Sequence, residues 1–364
     1  MPAESPINRV EAVVGSSWPN ISNARQQTEQ ILTKLRAALA GSGAEEPLDT
    51  EDLSVIAFGS LARHEWTTLS DIDWTLLVDG AADPNHFELK KDVHDRLNAV
   101  CSNPPGHEGT FGSLIFSHDL VHLIGGEDDT NRNTTLRCLM LLESVALGRK
   151  EAHQSVIRAI LKRYLIEDPS FAHQSGPYRV PRFLLNDFAR YWRTMTVDFA
   201  YKRRDRYGKG TALRNLKLRI SRKLLFASGL LACFACQMRL APAADKKKQC
   251  SENAQECVEC LREFLELTPL DIVALYFAHI CGDDEPESLA IKSARRVFDT
   301  YDKFLGVLAN REERAHLDNL KPDQVDGDKR FQQVREMSHE FNAGILDLFF
   351  DLNENLRVLT RFYG

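Results

Sequence analysis

Asp71 and Asp73 stand one residue apart at the head of an apolar run, downstream of the pair Gly59-Ser60; residues 58–80 read FGSLARHEWTTLSDIDWTLLVDG. On a strand, alternate residues share a face. The two carboxylates are therefore neighbours that repel each other unless a cation sits between them. In phosphoryl chemistry that cation is a pair of Mg²⁺ ions, which take hard oxygen ligands. Gly59 lets a phosphate approach the backbone, and Ser60 can open a following helix, where N–H groups and the dipole favour anions. An apolar run (Val55, Ile56, Ala57, Phe58) leads into the pair, and Ser70-Asp71-Ile72-Asp73 opens a second one. The segment reads as an anion cradle facing a metal site, positioned by two strands and a short polar helix between them.

Gly59, Ser60, Asp71 and Asp73 resemble the signature of the polymerase-β-type nucleotidyltransferases. The Ser-Asp-Ile-Asp spelling, with Arg63 and Glu65 after the Gly-Ser pair, is similar to bacterial members. The resemblance implies an α/β nucleotidyltransferase core, a small mixed sheet with flanking helices, joined to a larger all-α helical domain. It implies transfer of NMP or dNMP from a nucleoside triphosphate to a hydroxyl, with pyrophosphate released. Gly59 and Ser60 would bind the triphosphate, and Asp71 and Asp73 two Mg²⁺ ions. Two-metal transfer usually uses a third carboxylate, and the resemblance implies that it comes from a neighbouring strand. Asp119, in FSHDLVHLI, is the first choice, with Asp128 and Asp129 after Gly125-Gly126 as alternatives. His118 and His122 flank Asp119 and read as structural, since Mg²⁺ prefers oxygen.

A chain of 364 residues suggests two domains or one large one. The formal net charge of −6 makes the whole chain a poor generic polyanion binder, so any such site must be a local basic patch. No run of eighteen apolar residues predicts a membrane span. The start MPAESPINRVEAVV lacks the basic-then-apolar order of a secretory signal. Eight cysteines in such a chain point to free thiols in a reducing cytoplasm. Cys233, Cys236, Cys257 and Cys260 have a spacing that suits zinc on paper, but LLACFACQM is an apolar helical run without a turn, which favours core cysteine.

Helical spacing of Ile31, Leu32, Leu35 and Leu39 predicts a helix near 23–40, followed by a loop over 40–52. A helix from Pro84-Asn85 carries Leu89, Val93, Leu97 and Val100, and 102–112 is a loop. Residues 113–116 and 120–124 read as extended. From Asn131 on the pattern is helical, with a first helix capped by Asn133 or Thr134 and stopping near Gly148. Later helices fall at 153–166, 181–206, 211–239, 254–267, 270–281, 287–309 and 331–361, with exposed connections at 240–253 and 318–329. The domains are then 1–130, the nucleotidyltransferase core with an N-terminal helix, and 131–364, the helical domain with a C-terminal tail. The last stripe (Phe341, Ile345, Leu348, Leu352, Leu356, Leu359) reads as core of that domain.

Residues 202–223, KRRDRYGKGTALRNLKLRISRK, concentrate positive charge between apolar flanks. A half-buried cationic helix needs anions nearby. Given the resemblance, Lys217 is the preferred further triphosphate ligand and Arg214 the second; a nucleic-acid backbone along 202–209 is the other use of such a run. Tyr363, near the end of the chain, reads either as a frayed helix end or as an acceptor phenol, because template-free polymerisation needs a hydroxyl to start from. The Gly-Ser and Asp-x-Asp core, the helical remainder and this tyrosine resemble the nucleotidyltransferase of Hailong anti-phage defence systems. That resemblance implies a single-stranded DNA oligomer made from dATP, primed on Tyr363, and a separate membrane effector protein that binds the oligonucleotide product. The alternatives are nucleotidylation of a protein or tRNA from ATP, and a catalytically idle nucleotide-binding scaffold. The enzyme itself is expected in the cytoplasm without membrane insertion.

Overall fold

The structure is a computed structural model that describes residues 5–40, 50–101, 111–167, 171, 179–205, 210–238, 240, 254–282, 287–321 and 323–363. The loops expected at 40–52 and 102–112 and the connection at 240–253 lie mostly outside these residues, as do residues 206–209 of the basic run. Two compact units emerge, residues 23–168 and residues 1–22 with 169–364. The expected boundary at 130 is therefore displaced. Elements as far as residue 168 belong with the sheet, and the first helix belongs with the helical unit.

Helices α1 (Pro6–Val14) and α2 (Pro19–Ala40) come first, and the division between units falls inside α2. The α/β unit continues with β1 (Leu53–Phe58), β2 (Trp74–Val78), α3 (Asn85–Val100), β3 (Leu114–Phe116), α4 (Ser117–Val121), α5 (Asn131–Leu142), β4 (Ser144–Ala146) and α6 (Glu151–Leu165). Its four-stranded sheet has the order β3-β2-β1-β4. β1 runs antiparallel to β2 and β4, while β2 and β3 are parallel. β1 and β2 are buried along their whole length, as strands covered on both faces must be. On one face Val55, Ala57, Trp74 and Leu76 pack with Ile31, Leu32 and Leu35 of α2 and with Val93 and Leu97 of α3. α6 packs on β1 and β2 and buries Val156, Ile160 and Leu161.

Two local expectations fail here. Residues 120–124 are not a strand, since α4 occupies Ser117–Val121. The helix expected to reach Gly148 ends at Leu142, is capped by Thr130 rather than Asn133 or Thr134, and is followed by β4. Only the long-range pairing of Phe58 with Ser144, Ala57 with Val145 and Ile56 with Ala146 defines that strand. Tertiary pairing overrides local propensity in such short strands.

The helical unit contains α7 (Arg182–Asp205), α8 (Thr211–Arg219), α9 (Ser221–Met238), α10 (Ala254–Leu265), α11 (Pro269–Cys281), α12 (Leu289–Ala309), α13 (Arg311–Asn319), α14 (Lys329–Phe350) and α15 (Glu354–Tyr363). The expected 211–239 helix is broken at Ile220, and the expected 331–361 helix is broken before Asn353, whose side chain accepts from the Leu356 N–H at 3.0 Å. α12 and α14 pack against each other, and Gly344 makes the close approach possible. A Cβ there would meet Val297 Cγ2 at 2.6 Å and the Ser293 carbonyl oxygen at 2.9 Å. Phe341, Ile345, Leu348, Leu356 and Leu359 are buried, as expected of a core stripe. Cys233 and Cys236 on α9 and Cys257 and Cys260 on α10 are buried. No single helix among the described residues is long and apolar enough to cross a membrane.

A buried carboxylate holds the start of α2. Asp302 of α12 accepts from the N–H groups of Asn20 at 2.8 Å and Ile21 at 3.0 Å, and from the Asn20 side-chain amide at 2.8 Å. These are first-turn donors that the helix itself leaves unpaired. Replacing Asp302 with Ala is expected to lower the unfolding free energy by about 2–4 kcal/mol, as three charge-assisted bonds are lost together. Asp302→Asn, which keeps an acceptor oxygen, should cost less. Urea melts of the three proteins measure this, and equal midpoints would contradict it.

Candidate active site at the glycine–serine turn

β1 delivers the chain to the site. Ala57 pairs with Trp74, and the Phe58 N–H donates to the Asp73 carbonyl at 2.8 Å. The next residue, Gly59, turns away with φ +66°, a left-handed conformation that a side chain would strain. One helical turn follows. The Arg63 N–H reaches the Gly59 carbonyl at 3.0 Å, the His64 N–H reaches Leu61 at 3.2 Å and the Glu65 N–H reaches Ser60 at 2.8 Å. The last two bonds, with His64 at φ 58°, form a Schellman cap that stops the turn at once. The expected helix is thus a single turn, so no helix macrodipole stands behind Ser60. First-turn N–H groups and the Ser60 hydroxyl remain as anion donors.

The return to β2 is pinned on both sides. Trp66 donates its N–H to Thr28 Oγ1 of α2 at 3.0 Å. The Ser70 N–H donates to the Thr67 carbonyl at 2.8 Å, and Ser70 Oγ accepts from the Thr67 N–H at 3.2 Å. Leu61, Trp66 and Ile72 are buried in the same core cluster. With Ile72 inward, Asp71 is exposed and Asp73 half-buried on the opposite side, which is the alternation expected of this segment. A Cβ placed on Gly59 would lie 3.4 Å from Asp73 Oδ2, so the acidic pair and the glycine turn occupy one end of the sheet. Among the described residues no three His, Cys, Asp or Glu side chains gather as a metal site. Mg²⁺ is commonly held by one or two carboxylates and completed by water and substrate phosphates. Two adjacent carboxylates beside a backbone that admits phosphate fit that mode.

Arg63, at the end of the turn, joins two other carboxylates that sequence reading did not bring together. Its Nε donates to Glu65 Oε2 at 2.9 Å, and its Nη1 donates to Glu143 Oε2. Glu65 and Glu143 are 4 % and 7 % exposed, so the guanidinium offsets part of a buried charge that would otherwise be costly. Glu143 immediately precedes β4, and Ser144 pairs with Phe58. The register therefore brings Glu143 to the same sheet end as Gly59. Detecting it in the sequence required recognising β4, whose local pattern is helical.

Ser144 Oγ lies 2.6 Å from the Met140 carbonyl and 2.7 Å from Nε2 of His153. A hydroxyl has one hydrogen, so with Oγ donating to the carbonyl, the assigned tautomer is the one in which Nε2–H donates to Oγ. Burial, with Lys150 nearby, lowers the His153 pKa to about 4.

Asp119 is not brought to the site. β3 is parallel to β2, with Phe116 opposite Val78, so Asp119 lies past the end of the sheet remote from Asp73, roughly 15 Å along the strands. Asp129 binds the fully buried Arg137 through both oxygens, at 2.9 and 3.1 Å, and Asp128 is exposed. Arg137 also donates to Tyr164 Oη at 2.7 Å, which makes this a structural tie. His118 and His122 are exposed beside Asp119. Arg214 and Lys217 are half-buried on α8 of the helical unit, and neither is a free cation. Asp318 Oδ1 and Arg214 Nη2 both approach Gly210, at 2.7 and 3.4 Å from a Cβ built there, so the protein itself supplies an anion beside this arginine. Tyr363 is not on a free tail. It closes α15, which packs on α14 and α9, and it is half-buried beside the exposed Phe362 ring.

Arg63→Ala leaves two carboxylates without their guanidinium and is expected to destabilise the protein by about 3 kcal/mol. Adding Glu143→Gln should restore part of this loss, whereas strict additivity of the two changes in a double-mutant cycle would contradict the coupling. For His153 the folded pKa lies below the unfolded value of 6.5. Its contribution to stability is therefore complete above pH 6.5 and falls by up to about 1.4 kcal/mol per pH unit as the pH drops towards 4. His153→Gln should flatten the urea-derived stability profile across that window, and an unchanged slope would contradict the assignment.

Comparison of the chain with family models, with curated proteins and with solved structures finds no match.

Proposed function

We propose that the protein is a Mg²⁺-dependent nucleotidyltransferase that moves a nucleoside monophosphate from a triphosphate to a hydroxyl and releases pyrophosphate. The observation that carries this reading is the Asp73 carboxylate lying 3.4 Å from the Cβ position of a left-handed Gly59. A metal-binding carboxylate next to bare, donor-rich backbone suits a metal–triphosphate and few other ligands. Gly59 lets the phosphates reach the main chain, and the Ser60 hydroxyl donates to a phosphate oxygen. Asp71 and Asp73 would hold Mg²⁺, which when bound would supply charge screening for the triphosphate and a lowered pKa for the acceptor hydroxyl. Arg63, engaged by Glu65 and Glu143, sets the turn that carries these groups. Asp119 is left out of the site.

The finer reading adds template-free synthesis of a DNA oligomer from dATP, started on Tyr363. Incubation with each NTP and dNTP plus Mg²⁺, followed by gels and intact mass, separates the cases. A ladder with added mass on the protein supports self-priming, and Tyr363→Phe should then abolish initiation. One-step labelling of an added protein or tRNA supports the alternative acceptor. Asp71→Asn and Asp73→Asn should each lower incorporation by at least a hundredfold, roughly the scale of losing a catalytic charge stabiliser. Wild-type protein that incorporates nothing across nucleotides and metals would leave a binding scaffold as the explanation.

A further inference from the structure

We propose that the outward face of α7 binds single-stranded nucleic acid. The helix is fixed by its inner side, where Leu184, Leu185, Phe188, Tyr191 and Met195 are buried and Trp192 stacks on Phe226 of α9 with centroids 5.4 Å apart. The outer side is exposed and carries Arg182, Phe183, Arg193, Val197, Tyr201 and Arg204. Arg193, Val197, Tyr201 and Arg204 follow the three- and four-residue steps that stay on one side of a helix. Phe183 and Tyr201, 57 % and 58 % exposed, present their rings to solvent near the two ends of the helix.

Six basic residues on the helix outnumber its three aspartates, Asp187, Asp198 and the exposed Asp205. Asp187 pairs with Arg190 at 3.1 Å and Asp198 with Lys202 at 2.9 Å. Among the described residues Arg182, Arg193, Arg203 and Arg204 form no ion pair. Four exposed guanidinium groups on one helix, with the carboxylate of Asp205 at its end, make a local cationic patch in a chain of net charge −6, and such a patch suits a polyanion. Phosphates account for the arginines, and exposed rings among them account for a partner with free base faces, since base–aromatic stacking is sequence-tolerant. A duplex hides its base faces and would use the arginines alone. A membrane would need more apolar surface than one valine and two rings between arginines. The inference stands apart from nucleotidyl transfer, because α7 carries none of the residues assigned to that reaction.

The test is fluorescence anisotropy of a labelled mixed-sequence DNA oligonucleotide with the full chain, at low salt and with a chelator present so that no turnover intervenes. Single strand should bind, with affinity falling steeply as salt rises. Arg193→Glu with Arg204→Glu should weaken binding roughly tenfold or more. Tyr201→Ala should weaken single-strand binding roughly fivefold or more and leave duplex binding unchanged. These positions are exposed, and circular dichroism checks that the variants keep their fold. Absence of binding, affinity unchanged in both variants, or binding of phosphatidylserine vesicles in place of DNA would overturn the proposal.

Discussion

The candidate site depends on one register. The Phe58 N–H to Asp73 carbonyl hydrogen bond, 2.8 Å long, closes the antiparallel β1–β2 ladder where β1 ends and β2 begins. A slip by one residue would turn Ile72 outward and both aspartates inward. Burial of β1 and β2 on both faces makes such a slip expensive, since every side chain of the strands is seated in a core. With the register held, Gly59 must turn at once in the left-handed region, and the Asp73 carboxylate comes to lie over it. The acidic pair and the phosphate-accessible backbone are thus two consequences of a single pairing.

The same sheet end sorts its carboxylates by environment. Glu65 and Glu143 are buried and share the Arg63 guanidinium, so their charge is partly offset within the protein. Asp71 is exposed and Asp73 half-buried on the other side of Ile72, where solvent or a cation can reach them. The first pair stabilises the turn; the second lies on the more accessible side of the strand. Arg63 links the two, because it is both the terminal part of the turn begun at Gly59 and the anchor of Glu143 beside β4.

Much of this was legible in the sequence because it is local. The apolar run before Gly59, the Ser-Asp-Ile-Asp start of β2 and the alternation of Asp71, Ile72 and Asp73 follow from strand periodicity. The long helices appeared close to their expected limits because their apolar stripes are long. The failures share a cause, which is dependence on distant partners. β4 exists through pairing with β1, and the run before it is helical in pattern, so the sheet edge, Glu143 and the unit boundary at residue 168 were all hidden. Asp119 was chosen as the start of a strand that is in fact α4, and parallel pairing of β3 sends it to the far end of the sheet. The turn at 59–64 looked long enough for a helix, but the Schellman bonds around His64 end it after one turn. The breaks at Ile220 and before Asn353 carry no glycine or proline to announce them.

The central claim is that Asp71 and Asp73 bind a divalent cation together with a nucleoside triphosphate held at Gly59 and Ser60. Electron paramagnetic resonance of Mn²⁺, titrated with protein in the presence and absence of a triphosphate, measures this without requiring any product. The account predicts that free Mn²⁺ is depleted most strongly when protein and nucleotide are both present, and that the effect is lost in the double variant Asp71→Asn, Asp73→Asn. Equal depletion by wild type and that variant would contradict it.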